Sequence, residues 1–201
     1  DSYDSISKSE EEEARPLNEE NTPISVAPES ARNKVQKAMS VVPNTQFYDL
    51  GKLQVQQIDG EIAYVAPVEF SSFWRYLRGK ETEGYFTITA TNINAQPEFV
   101  QSKMRYTNSS FFNHNVQRVV YGKHPDYVQS GHAQIEVDDE GKPWYVQTIY
   151  KPLLFSNRPD MNDIKVAIVD PVSGDIETYD SSNAPDFVEG SVSSELAAIE
   201  N

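Results

Sequence analysis

An α+β fold made of two α-β-β-β units with antiparallel sheets is what the pattern of the chain predicts, on three observations. Apolar residues recur at helical spacing in two places, about 28–40 and again 110–122. Each helical stretch leads into strand-like runs joined by a glycine turn, Asp59-Gly60 in "QIDGEIAYV" and Glu140-Gly141 in "DDEGKPWYV". A further β-branched and aromatic run then follows each hairpin, "GYFTITATN" and "DIKVAIVD".

The elements follow in order. Residues 1–27 are polar and acidic without apolar periodicity, the composition of a disordered arm. Pro28 suits a first helical turn, Glu29 complements the positive helix end, and Ala31, Val35, Ala38 and Met39 share one face. Pro43 stops that helix. The first hairpin comes next. A short helix is expected over "EFSSFWRYLRG", with Phe70, Phe73, Trp74 and Leu77 as its stripe. A strand over "GYFTITATN" precedes a weaker one over "EFVQSKMRY". Ser109 or Ser110 is placed to cap a helix whose apolar face is Phe112, Val116, Val119 and Val120. The second hairpin follows, then two strands around the Pro-Val-Ser-Gly turn of "VDPVSGDIETY". The expected divisions are a first unit at 28–107, a second at 108–180 and an acidic C-terminal tail at 181–201.

Charge is unevenly placed. The net charge is −14, yet residues 1–20 hold eight acids against two bases and residues 170–201 hold eight acids and no base. The stretch between is balanced, so the acidity reads as solvated ends, and no dense Lys/Arg run suggests nucleic-acid binding. With no cysteine, disulfides, thiolate metal sites and cysteine nucleophiles are excluded. No apolar run is long enough to span a bilayer, so any membrane attachment is expected outside these residues.

The halves also repeat in detail. Gly60, Tyr64 and Val65 match Gly141, Tyr145 and Val146 at an offset of 81, and Phe86 and Ile88 match Val166 and Ile168 at 80. The order of helix, strand, "DDEGKPWYV", strand and "VAIVDPVSGDI" resembles the PepSY-like domains, cystatin-like in shape, of bacterial extracytoplasmic and membrane proteins. The closing signature is Val169, Asp170, Gly174 and Asp175. The first half departs, with "TATNINAQ" where that closing hairpin should stand. What the resemblance implies is a non-catalytic role in protein contact, inhibition or envelope assembly, in the ectodomain of a bacterial or phage-related membrane protein.

Candidate chemistry is thin. His114, His124 and His132 could serve a metal or a hydrolase only if the fold converged them, since their spacing matches no compact ligand motif. Asp138, Asp139 and Glu140, with Asp160, Asp163 or Asp170, offer oxygen ligands but lack the calcium-loop pattern, and Asp with Gly is also what a tight turn requires. No Gly-x-Ser-x-Gly elbow or phosphate loop is present. The expectation is therefore a non-enzymatic protein-binding or scaffolding domain without cofactor, extracytoplasmic and anchored elsewhere. Its contacts are expected through the sheet at Tyr64, Trp144 and Tyr145. The alternatives are a metal-dependent hydrolase using the histidines, and a virion or envelope assembly component.

Overall fold

Turn chemistry sets the pairing. Asp59 (φ 51°) and Gly60 (φ 79°) both take left-handed backbone, closing a two-residue loop between β2 (Gln54–Ile58) and β3 (Glu61–Phe70). The computed structural model describes residues 24–200, so most of the expected acidic arm lies outside the described residues. Residues 24–27 belong to the first unit: Val26 is buried, and Ser25 and Val26 donate backbone N–H to the Ala90 carbonyl.

The first unit opens with α1 (Pro28–Lys37), whose Ala31 and Val35 pack inward. A short strand β1 (Tyr48–Leu50) and β2 both pair with the long β3. After α2 (Phe73–Gly79), β4 (Thr82–Thr89) and β5 (Glu98–Met104) extend the antiparallel sheet. The second unit repeats this order. After α3 (Val116–Lys123), the short β6 (Val128–Gln129) and β7 (Gln134–Val137) pair with opposite ends of β8 (Pro143–Pro152). Then β9 (Pro159–Val169) and β10 (Ile176–Asp180) complete a second antiparallel sheet. The α+β class and the two antiparallel sheets are as the sequence predicts. The short leading strands β1 and β6 were not legible.

Register corrects one reading. Tyr64 lies opposite Ile88, and Tyr145 opposite Val169, so the halves correspond at 81 in the third strand as well, not 80. Because side chains alternate, the one-residue difference changes which face each residue joins. Phe86 and Ile88 therefore match Ala167 and Val169, which share a face with Tyr145.

Each sheet has two faces to cover. The front of the first sheet (Tyr64, Phe86, Ile88) packs on α1. Its back (Val65, Tyr85) joins the front of the second sheet (Tyr145, Ile149, Val169) and α3 residues Val116 and Val120. The back of the second sheet (Val146, Val166, Ile168) is closed by Val188 and by Val192 of α4 (Glu189–Glu200). The expected tail at 181–201 is thus, over its described part, two short 3₁₀ turns and a docked helix. Three valine and leucine anchors spaced four apart (Val188, Val192, Leu196) were too sparse to register as a core face.

Two buried polar side chains hook these layers together. Gln56 (2 % exposed) donates from Nε2 to the Val137 carbonyl at 3.1 Å and accepts from the Val137 N–H at 3.0 Å, tying β2 to β7. Val137 stands opposite Pro143 at a non-hydrogen-bonded ladder position, next to the bonded Asp138–Lys142 pair, so both its backbone groups point away from β8 to Gln56. Glu136 (2 % exposed) accepts a hydrogen bond from the Ser191 hydroxyl in α4. Burial raises the Glu136 carboxyl from 4.5 to about 8, against a smaller opposing effect of the Ser191 hydrogen bonds. No described helix is long and apolar enough to cross a membrane.

The first predicted consequence concerns Gln56. Replacing it with Leu leaves both Val137 backbone groups buried without partners and lowers the unfolding free energy by about 2–4 kcal/mol in urea titrations. The second concerns pH. Unfolded, Glu136 ionises near 4.5, whereas folded it holds its proton up to about 8. Across that window the folded state binds the extra proton, so stability falls as pH rises, by roughly 1.4 kcal/mol per pH unit, and levels off above it. Glu136→Gln flattens this slope; unfolding curves at the two ends of the window measure it.

Candidate functional site

The residues expected to make contact are mostly inside. Tyr64 is 2 % exposed and donates its hydroxyl to the Val26 carbonyl at 2.6 Å. Tyr145 is 1 % exposed, on the face shared with the first unit. Both are core residues because their strands are covered on the front, so neither ring is presented to a partner in this fold. Trp144 points the other way, as alternation requires. It is half-buried under Phe187 and Lys142, with its Nε1 donating to Asp138 at 3.0 Å.

The acidic turn is turn chemistry. Asp138 Oδ1 accepts the backbone N–H groups of Glu140 and Lys142, both at 2.9 Å, and Gly141 takes φ 84°. The histidines have separate partners: His114 with the Tyr76 hydroxyl (3.0 Å), His124 with Thr178 (2.7 Å) and His132 with Gln117 (2.7 Å). Among the described residues no group of three His, Asp or Glu side chains is placed to hold a metal ion. Ser109 and Ser110 bond Thr107, and neither reaches a histidine.

What the fold does assemble is an aromatic groove of about 460 Å³ between the end of β3, α2 and the loop before α3. The expected stripe on α2 is turned. Tyr76 is its buried residue, while Trp74 stands 74 % exposed. Phe73 lies edge-on to Trp74, Phe111 and Phe112, with ring centroids at 5.5, 5.0 and 5.8 Å. Phe112 is 53 % exposed and sits at φ 55°, a left-handed conformation that costs a bulky residue roughly 1–3 kcal/mol. The helix α3 is capped by Asn115, not by Ser109 or Ser110, so Phe112 precedes the helix rather than lying on its face.

A hydroxyl network holds this loop. Thr107 Oγ1 lies 2.8 Å from Ser110 Oγ and accepts the Ser110 N–H at 3.0 Å. Ser109 Oγ accepts the Phe70 N–H at 2.9 Å, fastening the loop to β3. The Asn115 amide donates to the Ser110 carbonyl at 3.0 Å. With the backbone fixed, the aromatic rings are presented with little freedom left to lose on binding.

Electrostatics mark the same place. The segments 70–80 and 105–118, which build the groove, contain Arg75, Arg78, Lys80, Arg105 and Arg118 and no acid. Arg118 lines the groove and Arg75 lies 5.0 Å over the Phe47 ring. Burial, then the positive fields of Arg105 and Lys80, hold His114 below its ordinary pKa. Summing charge over the whole centre of the chain hides this, because the acids that balance these bases lie elsewhere.

No family model, curated protein or solved structure matches the chain, so the likeness to PepSY-like domains rests on its turn and strand signatures alone.

Proposed function

We propose that the chain is a non-enzymatic protein-binding module whose contact surface is the aromatic groove, and that its partner presents an acidic segment with an apolar anchor. One observation carries this: a cluster of exposed aromatic rings with Arg118 on the groove wall, built from two segments (70–80 and 105–118) that hold five bases and no acid, on a protein of net charge −14. Trp and Arg are residues that concentrate binding energy at protein interfaces, and Phe is enriched there; Trp74 stands beside the groove and Phe73, Phe111, Phe112 and Arg118 line it. Charge complementarity selects the partner's sign. A polyanionic nucleic acid fits less well, since five bases neutralise few phosphates while the remaining chain repels the strand. The strand signatures support an extracytoplasmic setting with the anchor outside these residues; fractionation of cells carrying the whole protein tests that reading.

Selection of peptides on the full chain from a random display library is the direct test. The expected outcome is enrichment of sequences pairing Asp or Glu with an aromatic or aliphatic residue. Trp74→Ala and Arg118→Glu each weaken the selected peptide about tenfold or more. Enrichment of basic or uncharged peptides, tighter binding of a single-stranded oligonucleotide, or capture unchanged in the folded variants would overturn the proposal. Phe112→Gly separates binding from folding. It relieves backbone strain while removing edge contacts, so stability stays within about 1 kcal/mol while peptide affinity falls.

A further inference from the structure

A second concavity, about 470 Å³, lies between the two units and draws residues from both. Glu69 enters it from β3, Asn108 from the loop before α3, Tyr145 from β8 and His132 from the segment before β7, with Lys52 and Glu195 also on its walls. The size is that of a small-molecule site rather than a packing defect.

The polar groups here are unevenly satisfied. Glu195 is engaged, accepting from Ser130 Oγ at 2.7 Å and Gln134 Nε2 at 3.4 Å. Three others are not. The Tyr145 hydroxyl is buried with its ring, 1 % exposed, and no described protein group forms a hydrogen bond with it. Asn108 donates its amide nitrogen to the Ala133 carbonyl at 2.7 Å, which fixes the amide and leaves the buried Oδ1 without a donor. No described lysine or arginine forms an ion pair with Glu69. Burial raises the Glu69 carboxyl, offset in part by the charge of His132, and Glu69 in turn acts on the Tyr145 hydroxyl.

A carboxyl, a fixed amide oxygen and a hydroxyl that can accept make a set short of donors; Lys52 and His132 stand on the same walls, but neither forms an ion pair with Glu69. Buried polar groups of this kind cost free energy until they are paired. Water can supply donors, but a cation also gives Glu69 the ion-pair partner it lacks among the described residues. A primary ammonium, with three N–H donors on one atom, matches the three acceptors.

We infer that the cleft between the units is a binding site for a primary ammonium group, held by Glu69, Asn108 Oδ1 and the Tyr145 hydroxyl. The group belongs either to a free small amine or to a lysine side chain of another protein. This site shares Asn108 with the aromatic groove but opens between the units, and its test does not depend on the groove being a contact surface.

Calorimetric titration of the full chain with putrescine, with Nα-acetyl-lysine amide and with 1-butanol as a neutral control tests it. The expected result is saturable binding of at least one amine, no comparable binding of butanol, and at least a tenfold loss in Glu69→Gln and in Tyr145→Phe. The tighter of the two amines identifies the source of the group. Tyr145→Phe keeps the buried ring and is the variant that separates site from fold, its melting curve checked against the parent chain. Failure of both amines to saturate, butanol binding as well as either, or amine affinity unchanged in Tyr145→Phe would each overturn the assignment.

Discussion

A helix laid on one side of a β-sheet leaves the other side bare, and the whole arrangement answers that constraint. In the first unit α1 covers the front, and the back is covered by the second unit. In the second unit the back is covered by α4. The ladder registers place Gln56 and Glu136 at equivalent points of the two hairpins, since Gln56 pairs with Ala63 and Glu136 with Trp144. Each faces backward, is buried, and reaches for whatever closes that face: Val137 for Gln56, Ser191 for Glu136. An apolar back face would pack in many orientations. One buried polar hook per layer leaves a partner unpaired in all but one, at a cost of about 1–3 kcal/mol for each lost bond.

The hairpins and the fold class were legible because they depend on local chemistry. Asp59-Gly60 dictates its turn whatever surrounds it, and alternation along residues 61–70 survives in any sheet. Burial at Tyr64 and Tyr145 was misread because it depends on what covers the strand, which is a tertiary fact. The tail was misread for a related reason. It docks through Val188, Val192 and Leu196, with Ala184 and Phe187 beside them, and the burial that orders it lies on β8 and β9 rather than in its own sequence. The one-residue slip in aligning the third strands came from matching residue types when the pleat preserves positions instead.

The groove was hidden by averaging and by the expectation that aromatics pack inward. Phe73, Trp74, Phe111 and Phe112 do pack, but chiefly on one another. Their exposure is sustained by the Thr107–Ser110–Asn115 bonds beneath them, which no apolar periodicity announces. Asn108 lines both the groove and the cleft, and its amide is anchored on Ala133 of the second unit. Both concavities therefore lie at the junction, where neither unit alone supplies all the lining groups.

The groove also occupies the place where the copies part company. As many residues separate Tyr64 from Ile88 as separate Tyr145 from Val169, so the excursions that leave and rejoin the ladder at these pairs are equal in length. One of them coils into α2; the other runs on as a hairpin arm ending in the exposed Leu154 and Phe155. Duplication thus left two sockets of identical span holding different inserts. The aromatic insert is a cassette hung from fixed ladder positions, and what fills that span leaves the strand register unchanged.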